Sequence, residues 1–237
     1  MVDLKRIGMK NFGMILIVLC VLSSCVSYQV LSVSSEDTRR NNFNELVNVA
    51  YNYEIAHSFT GTNLPIQIRV YNDDTRSYLN VDWSSSFVIV EQDTVQFKLF
   101  RGDTPRESIK PGEFSDFLVR GIVSDAFNLT NTNAPHVKSF LSVDQGSVPA
   151  KSTKFTKNNT PLNFSTHLKL SYFDDFEDSF YAISSFWINE VQAVKVSSEQ
   201  LVGLPSNQSY VMEEDHSGVG AYFIITILAL LPAIMPI

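Results

Sequence analysis

The chain has 237 residues, 44% of them hydrophobic, and a formal charge of −7. That is enough apolar material for one buried core. The acidic balance excludes a nucleic-acid-binding protein, which needs clustered Lys and Arg. Beyond residue 24 the longest basic feature is Arg39-Arg40.

Lys5, Arg6 and Lys10 lead into an apolar run over 12–22, which ends in Leu22-Ser23-Ser24-Cys25. A basic start, a short apolar stretch and small residues before a cut site read as an export signal. The run is about half the length a bilayer crossing needs, which argues against a retained anchor. Ordinary cleavage near Ser24 or Ser27 is the plain alternative. The Leu-Ser-Ser-Cys order resembles the lipobox of bacterial lipoproteins. That resemblance implies cleavage after Ser24 and a mature N-terminal Cys25 carrying a diacylglyceryl and an acyl group such as palmitate. Residues 1–24 remove three cations and Asp3, leaving the mature chain near −9. Cys20 leaves with the signal, so the exported part has no disulfide. This suits a bacterial envelope better than a eukaryotic extracellular domain.

The body from Tyr28 to about Gln200 reads as strand-rich. Ile66, Ile68 and Val70 alternate with Gln67 and Arg69, the period of a strand with one buried face. Asn72-Asp73-Asp74 marks a turn. Residues 78–83 and 87–90 read as two short strands, and 94–100 alternates again. Lys110-Pro111-Gly112 predicts a turn into a strand over 114–119. Phe164, Leu168, Leu170 and Tyr172 mark one long strand, and 180–196 is expected to hold the last one or two. Residues 34–48 read as a short helix or a loop. Residues 128–159 read as long polar loops with one short element near 137–143. Many short strands with polar turns predict a mainly β fold, an antiparallel immunoglobulin-like β-sandwich.

After Glu213-Glu214-Asp215-His216, residues 218–237 carry no charge. Twenty apolar residues suffice for a transmembrane helix, with Pro232 and Pro236 in its last turns. The alternative is a buried element of the domain. The expected organisation is therefore a lipoprotein signal peptide over 1–24, an exported sandwich domain over 25–217 and a C-terminal transmembrane segment over 218–237.

The segment IQIRVYNDDTRSYLNVDWSSSFVIV over 66–90 resembles uncharacterised lipoproteins of Bacteroidota-type bacteria. The matching positions are Val70, Tyr71, Asn72, Val81, Asp82, Trp83 and Ser86. Tyr28-Gln29-Val30, Pro161-Leu162 and Phe186-Trp187-Ile188-Asn189 are similar to that group as well. The resemblance implies a β-sandwich lipoprotein and no particular activity.

No nucleophile-elbow, zinc-protease or P-loop motif is present. His57, His136, His167 and His216 are scattered, none at ligand spacing from another His or Cys. Asp174, Asp175, Glu177 and Asp178 form the densest acidic group, a candidate for a hard cation or a solvated turn. Asp82 beside Trp83 is a candidate functional carboxylate or a local acceptor next to a core aromatic; Trp187 reads the same way. Asn128, Asn163 and Asn207 lie in glycosylation sequons that are chance in a bacterium.

These readings point to a non-enzymatic envelope lipoprotein, a binding or scaffolding module without catalytic residues or cofactor. Lipid at Cys25 and the C-terminal segment would hold it on the non-cytoplasmic side of a membrane, facing an unidentified envelope partner or ligand. The rivals are an envelope hydrolase whose site converges only in the fold, and a eukaryotic surface protein with a glycolipid attached near Asn207 to Ser209.

Overall fold

A computed structural model of the chain describes residues 26–98, 103–129, 134–143, 146–173 and 176–213. Their strands are β1 (Val26–Ser34), β2 (Arg39–Arg40), β3 (Leu46–Val49), β4 (Tyr53–Ser58), β5 (Ile66–Asn72), β6 (Leu79–Val90) and β7 (Asp93–Gln96). There follow β8 (Arg106–Ile109), β9 (Phe114–Val119), β10 (His136–Val143), β11 (Gly146–Lys154), β12 (Asn163–Ser171), β13 (Phe180–Val196) and β14 (Gln208–Met212).

The fold is mainly β and antiparallel, as the alternation predicts. Among the described residues one sheet has five strands in the order β2-β3-β4-β5-β9. The other has nine: β10-β11-β13-β12-β6-β7, with β1 on β13, β14 on β1 and β8 on β6. Alternation decides which side chains meet between the sheets. Ile55, Ile66, Ile68 and Phe117 of the smaller sheet share one buried cluster with Leu168, Leu170 and Phe186 of the larger. Phe59 stands edge-on to Phe164 and Phe186, with centroids 5.8 and 5.3 Å away. On the outer side of the smaller sheet, Arg69 pairs with Asp116 at 2.9 Å and lies over the Phe114 ring.

The turn at Lys110-Pro111-Gly112 is present. Glu113 N–H donates to Lys110 O at 3.0 Å, with Gly112 at φ +75°. Proline then glycine at the two central positions supplies the fixed φ and the positive φ that a type II turn requires. The turn after β5 is built by Asn72, which is fully buried. Its Oδ1 accepts from Asp74 N–H, and its Nδ2 donates to Ser77 O and Ile109 O.

Several expectations need correcting. The short helix or loop expected over 34–48 is partly strand: β2 and the start of β3 lie in it. Only Leu46 and Val47 are buried there, so the period-2 signal is too short to read. Residues 128–159 are not mostly loop. They contain the hairpin of β10 and β11, which extends the larger sheet beyond the core and so exposes most of its side chains. The 94–100 strand is shorter, ending at Gln96, and residues 99–100 lie outside the described residues. Phe180–Val196 is a single strand and is not the last, since β14 follows it.

The two short strands expected over 78–90 are one strand, β6, interrupted by a bulge. Against β12, Asp82 pairs with Lys169 and Phe87 with His167, so four residues of β6 stand opposite Leu168 alone. Such an insertion reverses side-chain parity. Before it Leu79, Val81 and Trp83 point into the core; after it Val88 does. Phe87 has the strand parity of Trp83, yet the bulge turns it outward, where its ring stacks on His167 at 4.8 Å.

A second parity change occurs in β13. Ser32 pairs with Glu190 but Val33 with Ile188, leaving Asn189 as the extra residue. Beyond it Val194 and Val196 leave the main core. They join Tyr28, Val30, Leu201 and Leu204 in a separate cluster on the other side of the sheet. One face of this end of the sheet thus becomes an outer surface, covered by neither cluster.

Candidate functional site

Trp83 is 1% exposed. Its ring stacks on Phe117 at 4.9 Å and on Phe97 at 6.3 Å, and its Nε1–H donates to Glu107 Oε2 at 3.3 Å. Its neighbour Asp82 faces the opposite side, and its carboxylate has no solvent exposure. Asp82 accepts from the Ser84 hydroxyl (2.5 Å), the Ser85 N–H (3.1 Å), the Ser85 hydroxyl (3.0 Å) and Arg106 Nε (3.3 Å). Burial pushes its pKa up, but the hydroxyl and amide donors and the Arg106 charge outweigh burial, and the pKa falls below the usual value. Ser86 completes the bulge, donating to Asp82 O at 2.7 Å and accepting from Lys169 N–H. Asp82, Ser86 and Asn72 therefore fasten a bulge and a turn. Every donor around Asp82 is spent on holding the chain.

The histidines do not converge on these carboxylates. His57 is fully buried between the sheets, Nδ1 at 3.3 Å from Leu46 O and Nε2 at 3.0 Å from the Thr166 hydroxyl. Burial lowers its pKa to about 4. Leu46 O can only accept, so neutral His57 donates from Nδ1 and takes the Thr166 hydroxyl at Nε2. His167 lies on the outer face with Nε2 at 2.9 Å from the Ser165 hydroxyl, its pKa lowered by burial. His136 Nδ1 lies 2.7 Å from the Thr153 hydroxyl. His216 lies outside the described residues.

Of the acidic group, Asp174 and Asp175 lie outside the described residues, while Glu177 and Asp178 are exposed. Between them Phe176 is buried, with Arg106 5.1 Å and Lys169 5.8 Å from its ring centroid. Among the described residues no group of three or more His, Cys, Asp or Glu is placed to hold a metal. Trp187 is half-buried under Lys157 Nζ at 6.0 Å. Asn163 and Asn128 are exposed. Asn207 is buried, and its Nδ2 donates to Val33 O. Ser209 is a fully buried residue of β14, so a cut at 207–209 would remove a strand paired to β1.

What sequence reading misses is the end of the sheet where the chain enters and leaves the domain. Cys25 and residues 218–237 lie outside the described residues, but their attachment points do not. β1 starts at Val26 and β14 ends at Met212, antiparallel and adjacent. Glu213 N–H donates to Ser27 O at 2.9 Å. Both ends of the described chain therefore leave at one rim, side by side.

On the uncovered face at this rim the register assembles one surface from four strands, β1, β13, β11 and β10. Ser27 sits opposite Lys195, Ala193 opposite Lys151, Lys151 opposite Lys138 and Pro149 opposite Phe140. These residues and Glu213 line a groove of about 670 Å³. Phe140 is 71% exposed, and all three lysines are exposed. Glu213 is the carboxylate of the groove, and it accepts from Gln29 Nε2 at 3.0 Å. Among the described residues no helix is long and apolar enough to cross a membrane.

No protein-family model matches the chain, and neither a curated protein nor a solved structure matches it.

Proposed function

We propose that the chain is an acylated cell-envelope lipoprotein that displays a sandwich domain, immunoglobulin-like in kind, on the non-cytoplasmic side of a membrane. It serves there as a binding or scaffolding module. The observation that carries this reading is the hydrogen bond from Glu213 N–H to Ser27 O. A lipid on Cys25 lies one residue before β1. The apolar run over 218–237 starts a few residues after β14. With both exits at one rim, both attachments reach the same bilayer without unfolding any strand. The antiparallel pairing of two facing sheets supports the sandwich, and the Leu22-Ser23-Ser24-Cys25 order supports lipidation.

One lipid chain holds a protein only marginally, whereas two signals hold it stably. A fully acylated Cys25 already supplies more than one chain. Cutting after Ser217 is therefore expected to leave the protein on the membrane. So is Cys25→Ser behind an ordinary cleavable signal. Only the combination releases a folded soluble domain, because neither change touches a described strand. Fractionation with a carbonate wash reads the outcome. Unfolding after the cut, or release by either change alone, contradicts the two-anchor reading.

A further inference from the structure

We infer that the groove of Lys138, Lys151, Lys195 and Phe140 is a lipid-docking face, which seats the domain on the anionic phospholipid headgroups of the membrane holding it. The inference rests on the anchorage just proposed and adds the surface that meets the bilayer. Three observations carry it. The groove lies at the rim where both chain ends depart, with Ser27 and Glu213 in its wall. A bilayer reached by those ends is therefore the surface this face meets at closest range.

The second observation is charge. The chain carries a formal charge of −7, yet this face gathers three lysines against one carboxylate. Lys138 and Lys151 stand directly opposite each other across β10 and β11, on the same side. Like charges in that position repel, and a phosphate between them removes the repulsion.

The third is the aromatic. Phe140 stands exposed one pleat from Lys138 on the same strand face. Lysines that reach headgroup phosphates beside a ring that enters the acyl boundary are the composition of an interfacial surface. Near an anionic leaflet each lysine favours the bound state roughly fivefold, and three give roughly a hundredfold.

The test uses the mature full chain in vesicles of phosphatidylcholine alone, or mixed with phosphatidylglycerol. Vesicle flotation reports attachment. Brief acetylation followed by mass spectrometry reports the accessibility of each lysine. In mixed vesicles Lys138, Lys151 and Lys195 are expected to react at least about tenfold more slowly than in phosphatidylcholine, within the roughly hundredfold preference above. The protection should vanish near about 0.5 M salt, where screening shortens to a few ångströms. Lys110, on the β8–β9 turn, should react equally throughout. A chain that floats but labels equally in both vesicles overturns the docking face and leaves the anchorage standing. A chain that does not float overturns both. Protection that persists in detergent and disappears on cutting after Ser217 shows that the chain's own C-terminal segment fills the groove, and also overturns the proposal.

Discussion

Trp83→Ala is expected to destabilise the domain by about 3–5 kcal/mol, the range for removing a large buried aromatic. The indole is sealed between the sheets at 1% exposure. Deleting it leaves Phe117 and Phe97 facing a void and removes the donor to Glu107. Its strand cannot close that void, because the bulge behind it is fixed by the Asp82 hydrogen bonds on the other face. For a domain of this size the loss corresponds to a drop in Tm of about 6–20 °C. Trp83→Phe retains the stacking and should cost less than half as much. Thermal and urea melts of the released domain check this. A Trp83→Ala melt within about 2 °C of the parent contradicts the packing.

His57 sets the second large effect, on the dependence of stability on pH. Its pKa is about 4 in the fold and about 6.5 in an unfolded chain. Between those values the unfolded chain binds a proton that the folded chain does not, so stability falls as pH falls. The contribution is fully present above pH 6.5 and declines by about 3 kcal/mol as pH drops to about 4. The cause is burial: a charged imidazole is desolvated between the sheets, and its Nε2 must give up its acceptor role toward Thr166. Asp82 acts in a lower window. Its folded pKa is depressed below the usual carboxylate value, so its contribution is present above about pH 4 and is lost only below that. Urea midpoints measured between pH 4 and 7 should therefore slope in the parent. The slope should flatten in His57→Gln. An equal slope in both proteins contradicts the assignment.

Much of the fold is legible in the residues. β5 and β12 alternate cleanly because one face of each is buried along its whole length; β9 does not, since its buried face holds Ser115 while Phe114 and Leu118 are exposed, and only the turn before it marks its start. The bulge in β6 is legible only in hindsight. The apolar positions shift from odd (Leu79, Val81, Trp83) to even (Val88, Val90), and of the three serines that follow Trp83 the first two supply hydroxyls to the buried Asp82 carboxylate and the third to its main-chain carbonyl. β10 is the short element expected near 137–143, whereas β11 hides its identity because little of it is covered and its apolar residues do not mark one buried face. The rim groove is not legible at all. Lys138, Lys151 and Lys195 belong to three strands, and only the β10–β11–β13 register brings them to one face. The reverse holds for Cys25: its signal is chemical and local, carried by the order of four residues.

Intact-mass and terminal-peptide mass spectrometry of the chain extracted from membranes decides whether Cys25 is the lipid anchor. The predicted species begins at Cys25, carries diacylglyceryl and acyl mass on that residue, and retains residues 218–237. A chain with an unmodified Cys25, or one ending in a glycolipid near Asn207, contradicts it.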